Sequence, residues 1–152
     1  MGWVAQKISD HKTTAESLPR LWDSLRDSIG NAVEEFKALI SQPGVDRGDC
    51  RARGAMCIRV SKPGASIEIF LSPTDATVRL APGTNTTIAE ESESGAEKTL
   101  CGYRLKKDRS ELEFCRCNGE ALTADEVSIL ALDPFLLDPF PSAYIRPQKS
   151  PT

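Results

Sequence analysis

The stretch LPRLWDSLRDSIGNAVEEFKALIS, residues 18–41, decides the fold. Leu18, Leu21, Trp22, Leu25, Ile29, Val33, Phe36, Leu39 and Ile40 recur in it at spacings of three and four. At about 100° per residue they fall in one arc roughly 120° wide, the pattern of a helix that buries one face. Ser17 is placed to cap its start, and Pro19 falls in the first turn, where a missing N–H costs little. Thr13 with Glu16 offers an earlier start as a capping box, but that start would put Pro19 in the helix interior. Pro43-Gly44 is expected to end the helix. Gly30 lies on its polar side, at a cost of up to about 1 kcal/mol relative to alanine.

Before this helix, residues 1–16 are polar and aperiodic, and they read as a flexible arm. After it the pattern changes to short alternating segments. Val45 to Gly54 reads as a charged loop. Ala55 to Val60 puts Met56, Ile58 and Val60 on one face, and Ser66 to Leu71 answers with Ile67, Ile69 and Leu71 across the turn Ser61-Lys62-Pro63-Gly64. Thr77 to Ala81 presents Val78 and Leu80. A weak strand is expected near Thr86 to Ala89. The segment from Glu90 to Glu97 holds four Glu, two Ser and a Gly, the composition of an exposed, mobile loop. Thr99 to Leu105 and Glu111 to Cys117 form a last hairpin, where Tyr103, Leu105, Leu112 and Phe114 face inward unless a bulge exchanges Tyr103 with Leu100.

Thr123-Ala124-Asp125-Glu126 is a capping box that opens a short helix over 123–132, and Asp133-Pro134 should stop it. The tail from Pro134 to Thr152 mixes five prolines with Phe135, Leu136, Leu137, Phe140, Tyr144 and Ile145. Its first half is expected to pack and residues 141–152 to form a flexible tail.

Strands joined by short turns must be antiparallel, and helices outside the run of strands define α+β. The expected fold is one α+β domain over 17–140. In it a long N-terminal helix packs on a sheet of five or six antiparallel strands, with a short C-terminal helix and an extended tail. Its core joins the inward residues of the strands to Leu21, Trp22, Leu25, Ile29, Val33, Phe36 and Ile40. This helix–sheet–helix layout is shared by many small bacterial proteins, and no segment carries a family signature.

The composition narrows the function classes. Hydrophobic residues make up 39% and charged residues 27%, as in an ordinary globular protein. The net charge of −3 argues against a general polyanion binder, so nucleic acid is not an expected partner. No apolar run reaches the roughly 20 residues that span a bilayer, and Met-Gly-Trp-Val-Ala-Gln-Lys lacks the apolar core of a leader. A cytoplasmic protein is expected.

Five cysteines, an odd number, point to free thiols rather than a disulfide framework. Cys115 and Cys117 would share one face of a strand. With Cys50 and Cys57 they could be imagined around zinc, but C-x6-C and C-x-C fit no usual zinc spacing, so no metal is expected.

Catalytic signals are missing. His11 is the only histidine and sits in the polar arm. No phosphate-cradling glycine loop, HExxH or nucleophile elbow occurs. Cys50 could react only if Arg47, Arg51 and Arg53 made its surroundings electropositive. Glu34-Glu35 and Glu111/Glu113 read as solvated faces. The basic groups Arg47, Arg51, Arg53 and Arg59, and Arg104, Lys106, Lys107 and Arg109, would hold an anion only if brought together.

The outer face of the sheet is the candidate site. There Cys57, Arg59, Phe70, Arg79 and Cys115 form a mixed face suited to a partner, a shallow ligand or the docking of the chain's own apolar tail. The expected function is non-enzymatic and cofactor-free: a small interaction protein that forms a homodimer through the long helix, the sheet edge or the tail. A second protein is the other expected kind of partner, and the competing reading is a small-ligand binder with a pocket between helix and sheet.

Overall fold

The computed structural model describes residues 2–40, 44–50, 56–83 and 97–137. Helix α1 runs Trp3–Ile40 and helix α2 runs Ala124–Leu136. Between them lie β1 (Asp46–Asp49), β2 (Cys57–Lys62), β3 (Ala65–Ser72), β4 (Thr77–Pro82), β5 (Lys98–Leu105), β6 (Leu112–Cys115) and β7 (Ala121–Leu122). All pairings are antiparallel and sequential, so the seven strands form one uninterrupted meander. The class is α+β as read from the sequence, with seven strands in place of five or six.

Two strands lie outside that reading: the two-residue β7, which pairs Leu122 with Phe114, and β1, where a charged loop was expected. Asp46-Arg47-Gly48-Asp49 has no apolar alternation, and its four residues are exposed. Its strand form comes from register with β2, from Asp46 opposite Ser61 to Asp49 opposite Ile58. Between β2 and β3, Pro63-Gly64 closes the hairpin with Gly64 at a φ of 84°, a conformation glycine adopts without strain. Val78 and Arg79 flank a register shift against β5: Val78 faces Cys101 while Arg79 faces Thr99, so Leu100 is the extra residue. The bulge sends Cys101 and Tyr103 into the core and leaves Leu100 half-buried against it.

Helix α1 starts at Trp3, fourteen residues before Ser17, so the expected arm is helical where it is described. Ser17 is no cap: its buried Oγ accepts the Leu112 N–H at 2.9 Å, tying mid-helix to the start of β6. Pro19 therefore sits inside the helix. It is exposed, as is Ala15, whose carbonyl it cannot satisfy, so water can serve that carbonyl. Gly30 is buried beneath Arg47, and a Cβ there would lie 3.0 Å from the Arg47 Nε.

Helix α2 opens on the expected capping box: Thr123 accepts from the Glu126 N–H and Glu126 accepts from the Thr123 N–H. It continues through Pro134 to Leu136 instead of stopping. Lys62 holds that end, donating to the Phe135 carbonyl at 2.6 Å and lying 4.6 Å from the centre of its ring. A cation is favourable at a helix C-terminus.

The two helices form one layer over the sheet. α1 passes from β6, at Ser17, to β1, where Lys37 meets Asp46 at 3.3 Å. α2 packs beside α1 and onto β5. Ser128 donates to Ser28 at 2.9 Å and Ser28 donates to Asp125 at 2.5 Å, a polar bridge between the helices.

The core holds Leu21, Trp22, Leu25, Ile29 and Val33 against Ile58, Val60, Ile67, Ile69, Leu71, Val78, Tyr103, Leu112 and Phe114, as the sequence predicts. Phe36, Met56, Leu80 and Leu105 are only partly buried at its margin. Ile40 is a correction: it is 51% exposed, beyond the sheet. Val45, Cys101, Leu122 and Leu132 are further buried members of the core. The expected strand near 86–89, the acidic loop except for Glu97, and the tail from 138 lie outside the described residues.

Candidate functional site

On the outer face of the sheet, register sets Cys57 opposite Phe70 and Phe70 opposite Arg79 in one row, and Arg59 opposite Glu68 and Glu68 opposite Ala81 in the next. Cys50, Cys57, Phe70 and Ala81 form a second, small buried cluster. Cys57 and Phe70 are therefore not surface groups. Cys50 and Cys57 are bonded as a disulfide across β1 and β2, with their Cα atoms 5.6 Å apart, which corrects the expectation of free thiols at both positions. Glu68 is fully buried, and Arg59 Nη2 donates to its Oε2 at 2.9 Å.

The remaining candidates stand apart. Arg79 is half-buried and bridges Asp75 and Glu97, both at 3.1 Å. The Asp75 carboxyl is held below its ordinary range, first by the Thr77 and Ser72 hydroxyls and then by Arg79. Cys115 lies opposite Gly102, three strands along the sheet from Phe70. Cys117 does not share a strand face with it, because β6 ends at Cys115 and Cys117 lies in the turn where the Arg116 N–H reaches Glu120.

The basic residues do not merge into an anion site. Arg104 meets Glu113 at 3.0 Å, Lys106 meets Glu111 at 2.6 Å, and Arg109 meets Asp10 on α1. Arg51 and Arg53 lie outside the described residues.

Cys101 sits in the core, where burial, with a smaller push from Cys115, raises its thiol to about 12. At pH 8 the thiol therefore stays protonated. Alkylation of the native protein at pH 8, followed by peptide mass spectrometry, is expected to label exposed Cys117 quickly and to leave Cys101 unmodified until the chain unfolds. Rapid labelling of Cys101 would contradict its placement.

The helical layer carries the more extensive surface. A groove of about 520 Å³ runs between α1 and α2, with Ala32, Phe36, Ile129, Leu132, Leu136 and Leu137 as its apolar lining. Glu35, Asp125 and Asp133 give it acidic character. Ile129 is 58% and Leu137 56% exposed, and Leu39 and Ile40 extend the apolar surface one turn beyond Phe36. At the opposite end of α1, Trp3 is 75%, Val4 52% and Ile8 64% exposed, on the first turns of the helix, which also carry Lys7, Asp10 and Lys12. The overhang follows from length. Thirty-eight residues span about 57 Å, whereas six spacings between seven strands cover about 29 Å.

Sequence reasoning found the residues of the outer face but not the groove, because neither α1 nor α2 alone shows a concave surface. Trp3, Val4 and Ile8 lie in a stretch that reads as a polar, aperiodic arm in which Ile8 alone is a candidate for core contact, and the structure leaves Ile8 exposed. No family model matches the chain, and no curated protein or solved structure matches it significantly. Among the described residues no helix is long and apolar enough to cross a membrane.

Proposed function

We propose that the protein is a non-enzymatic, cytoplasmic interaction protein that forms a twofold homodimer, each copy laying the first turns of α1 into the partner's groove between α1 and α2. The observation that carries this reading is that one chain presents both halves of a contact. The protruding half is an apolar helix end with Trp3, Val4 and Ile8 flanked by Lys7 and Lys12. The receiving half is an apolar groove with Glu35, Asp125 and Asp133 along it. Hydrophobicity and charge are complementary, and helix-in-groove docking uses such anchors at successive turns. Reciprocal exchange closes the assembly at two copies, whereas one-way docking would propagate as a filament.

The alternative occupant is an apolar, cationic small molecule. The groove's volume lies within the ordinary range for ligand sites, although it opens between two helices rather than between helix and sheet.

Light scattering after size-exclusion chromatography tests the dimer. Burying Trp3 and Ile8 contributes roughly 1.5–3 kcal/mol each, so Trp3→Ser with Ile8→Ser should raise the dissociation constant by at least about a hundredfold. Both residues are exposed in the monomer, so monomer melting should change little. Ile129→Asp in the groove should have the same effect, and added salt should weaken the wild-type dimer. A dimer that survives both substitutions would overturn this reading.

A further inference from the structure

We propose that Cys50, Cys57 and Glu68 form a zinc-class metal site that becomes available when the Cys50–Cys57 disulfide is reduced. The two sulfurs and a Glu68 carboxylate oxygen lie within 4.8 Å of one another, and all three residues are buried. Two thiolates and a carboxylate are ordinary zinc ligands, leaving the fourth tetrahedral position for a water or an exogenous ligand. Zinc–sulfur bonds of about 2.3 Å hold two sulfurs about 3.8 Å apart in a tetrahedron. Cα atoms separated by 5.6 Å can present sulfurs at that spacing after side-chain rotation.

Charge supports the same assignment. Among the described residues, the charges at the cluster are the buried Glu68 carboxylate and the half-buried Arg59 guanidinium, 2.9 Å apart. In the reduced, metal-bound state two thiolates and the carboxylate carry three negative charges, and a divalent cation with Arg59 supplies three positive ones. Over these groups the two states carry the same net charge, so metal uptake adds no uncompensated charge to them. Phe70 and Ala81, in the same buried cluster as the two cysteines, supply a dry shell of the kind that tunes bound metals.

The redox step balances with a dithiol as reductant. The dithiol gives two electrons and two protons to the Cys50–Cys57 bond and leaves as its own disulfide, yielding two thiols. The metal then displaces up to two protons as the thiolates bind, so affinity rises with pH. Cytoplasmic disulfides are reduced by such dithiols, so the compartment proposed above is the one in which this site forms. The spacing C-x6-C gave no hint of it, because the third ligand comes from the neighbouring strand.

Titration of the full chain with Co²⁺, before and after anaerobic reduction by a phosphine, tests the site. About one equivalent is expected to bind after reduction, with a thiolate-to-cobalt charge-transfer band, and none before it. The band should vanish in Cys57→Ser and persist in the Cys115→Ser, Cys117→Ser double variant. Glu68→Gln should weaken binding by at least about tenfold, the lower limit even for a partner outside the ligand shell. Should Glu68→Gln fail to fold by circular dichroism, X-ray absorption of the wild-type zinc complex decides the third ligand: two sulfurs with lighter neighbours support Glu68, and four sulfurs refute it. No uptake after reduction, a band that survives Cys57→Ser, or one lost with Cys115 and Cys117 would overturn the proposal.

Discussion

Trp22→Ala is expected to lower the free energy of unfolding by about 3–5 kcal/mol, the range for buried aromatics truncated to alanine. Trp22 is 6% exposed on the face of α1 that meets the sheet, between Leu21 and the fully buried Leu25. Truncation removes the indole's transfer free energy and leaves a cavity that α1 cannot close. Ser17 bound to Leu112 and Ser28 bound to α2 hold the helix on both sides of it. Urea melts of both proteins measure the difference. A loss under about 1 kcal/mol would mean that the indole does not fill the helix–sheet interface.

Arg59→Met is expected to cost about 3 kcal/mol at neutral pH, the lower end for breaking a buried ion pair. Methionine keeps an apolar stem but removes the guanidinium 2.9 Å from the fully buried Glu68 carboxylate. A double variant, Arg59→Met with Glu68→Leu, should recover most of the loss, since replacing both charges by apolar groups is often neutral or stabilising. Equal deficits in the single and double variants would show that the ion pair is not the source. Denaturant melts of the wild type and both variants separate these outcomes.

The middle of α1 was legible because its apolar stripe is unbroken from Leu18 to Val33 and nearly every residue in it is at least partly buried. Its first turns were not legible. Pro19 and the cap-like Ser17 mimic a start, and only the tertiary bond to Leu112 shows what Ser17 does. Strand β1 was invisible for a related reason: DRGD has no strand pattern, and pairing with β2 imposes one. The inward faces of β2 to β4 followed from strict alternation. The Leu100 bulge was foreseen only as an alternative, because register is a property of two strands together.

On the outer face, alternation placed Cys57, Arg59, Phe70 and Arg79 correctly on one side of the sheet. It could not show that Glu68 is buried among them or that Cys50 comes across from β1. Both facts depend on strand pairing and packing that no single segment carries. The groove between α1 and α2 belongs to the same class, since its lining comes from segments about a hundred residues apart.

Sedimentation equilibrium of the full chain at tens of micromolar tests the central claim most directly. The proposed exchange of α1 ends predicts a species of twice 16.6 kDa that dissociates on dilution and on addition of salt. A single 16.6 kDa species across the whole concentration range would contradict it.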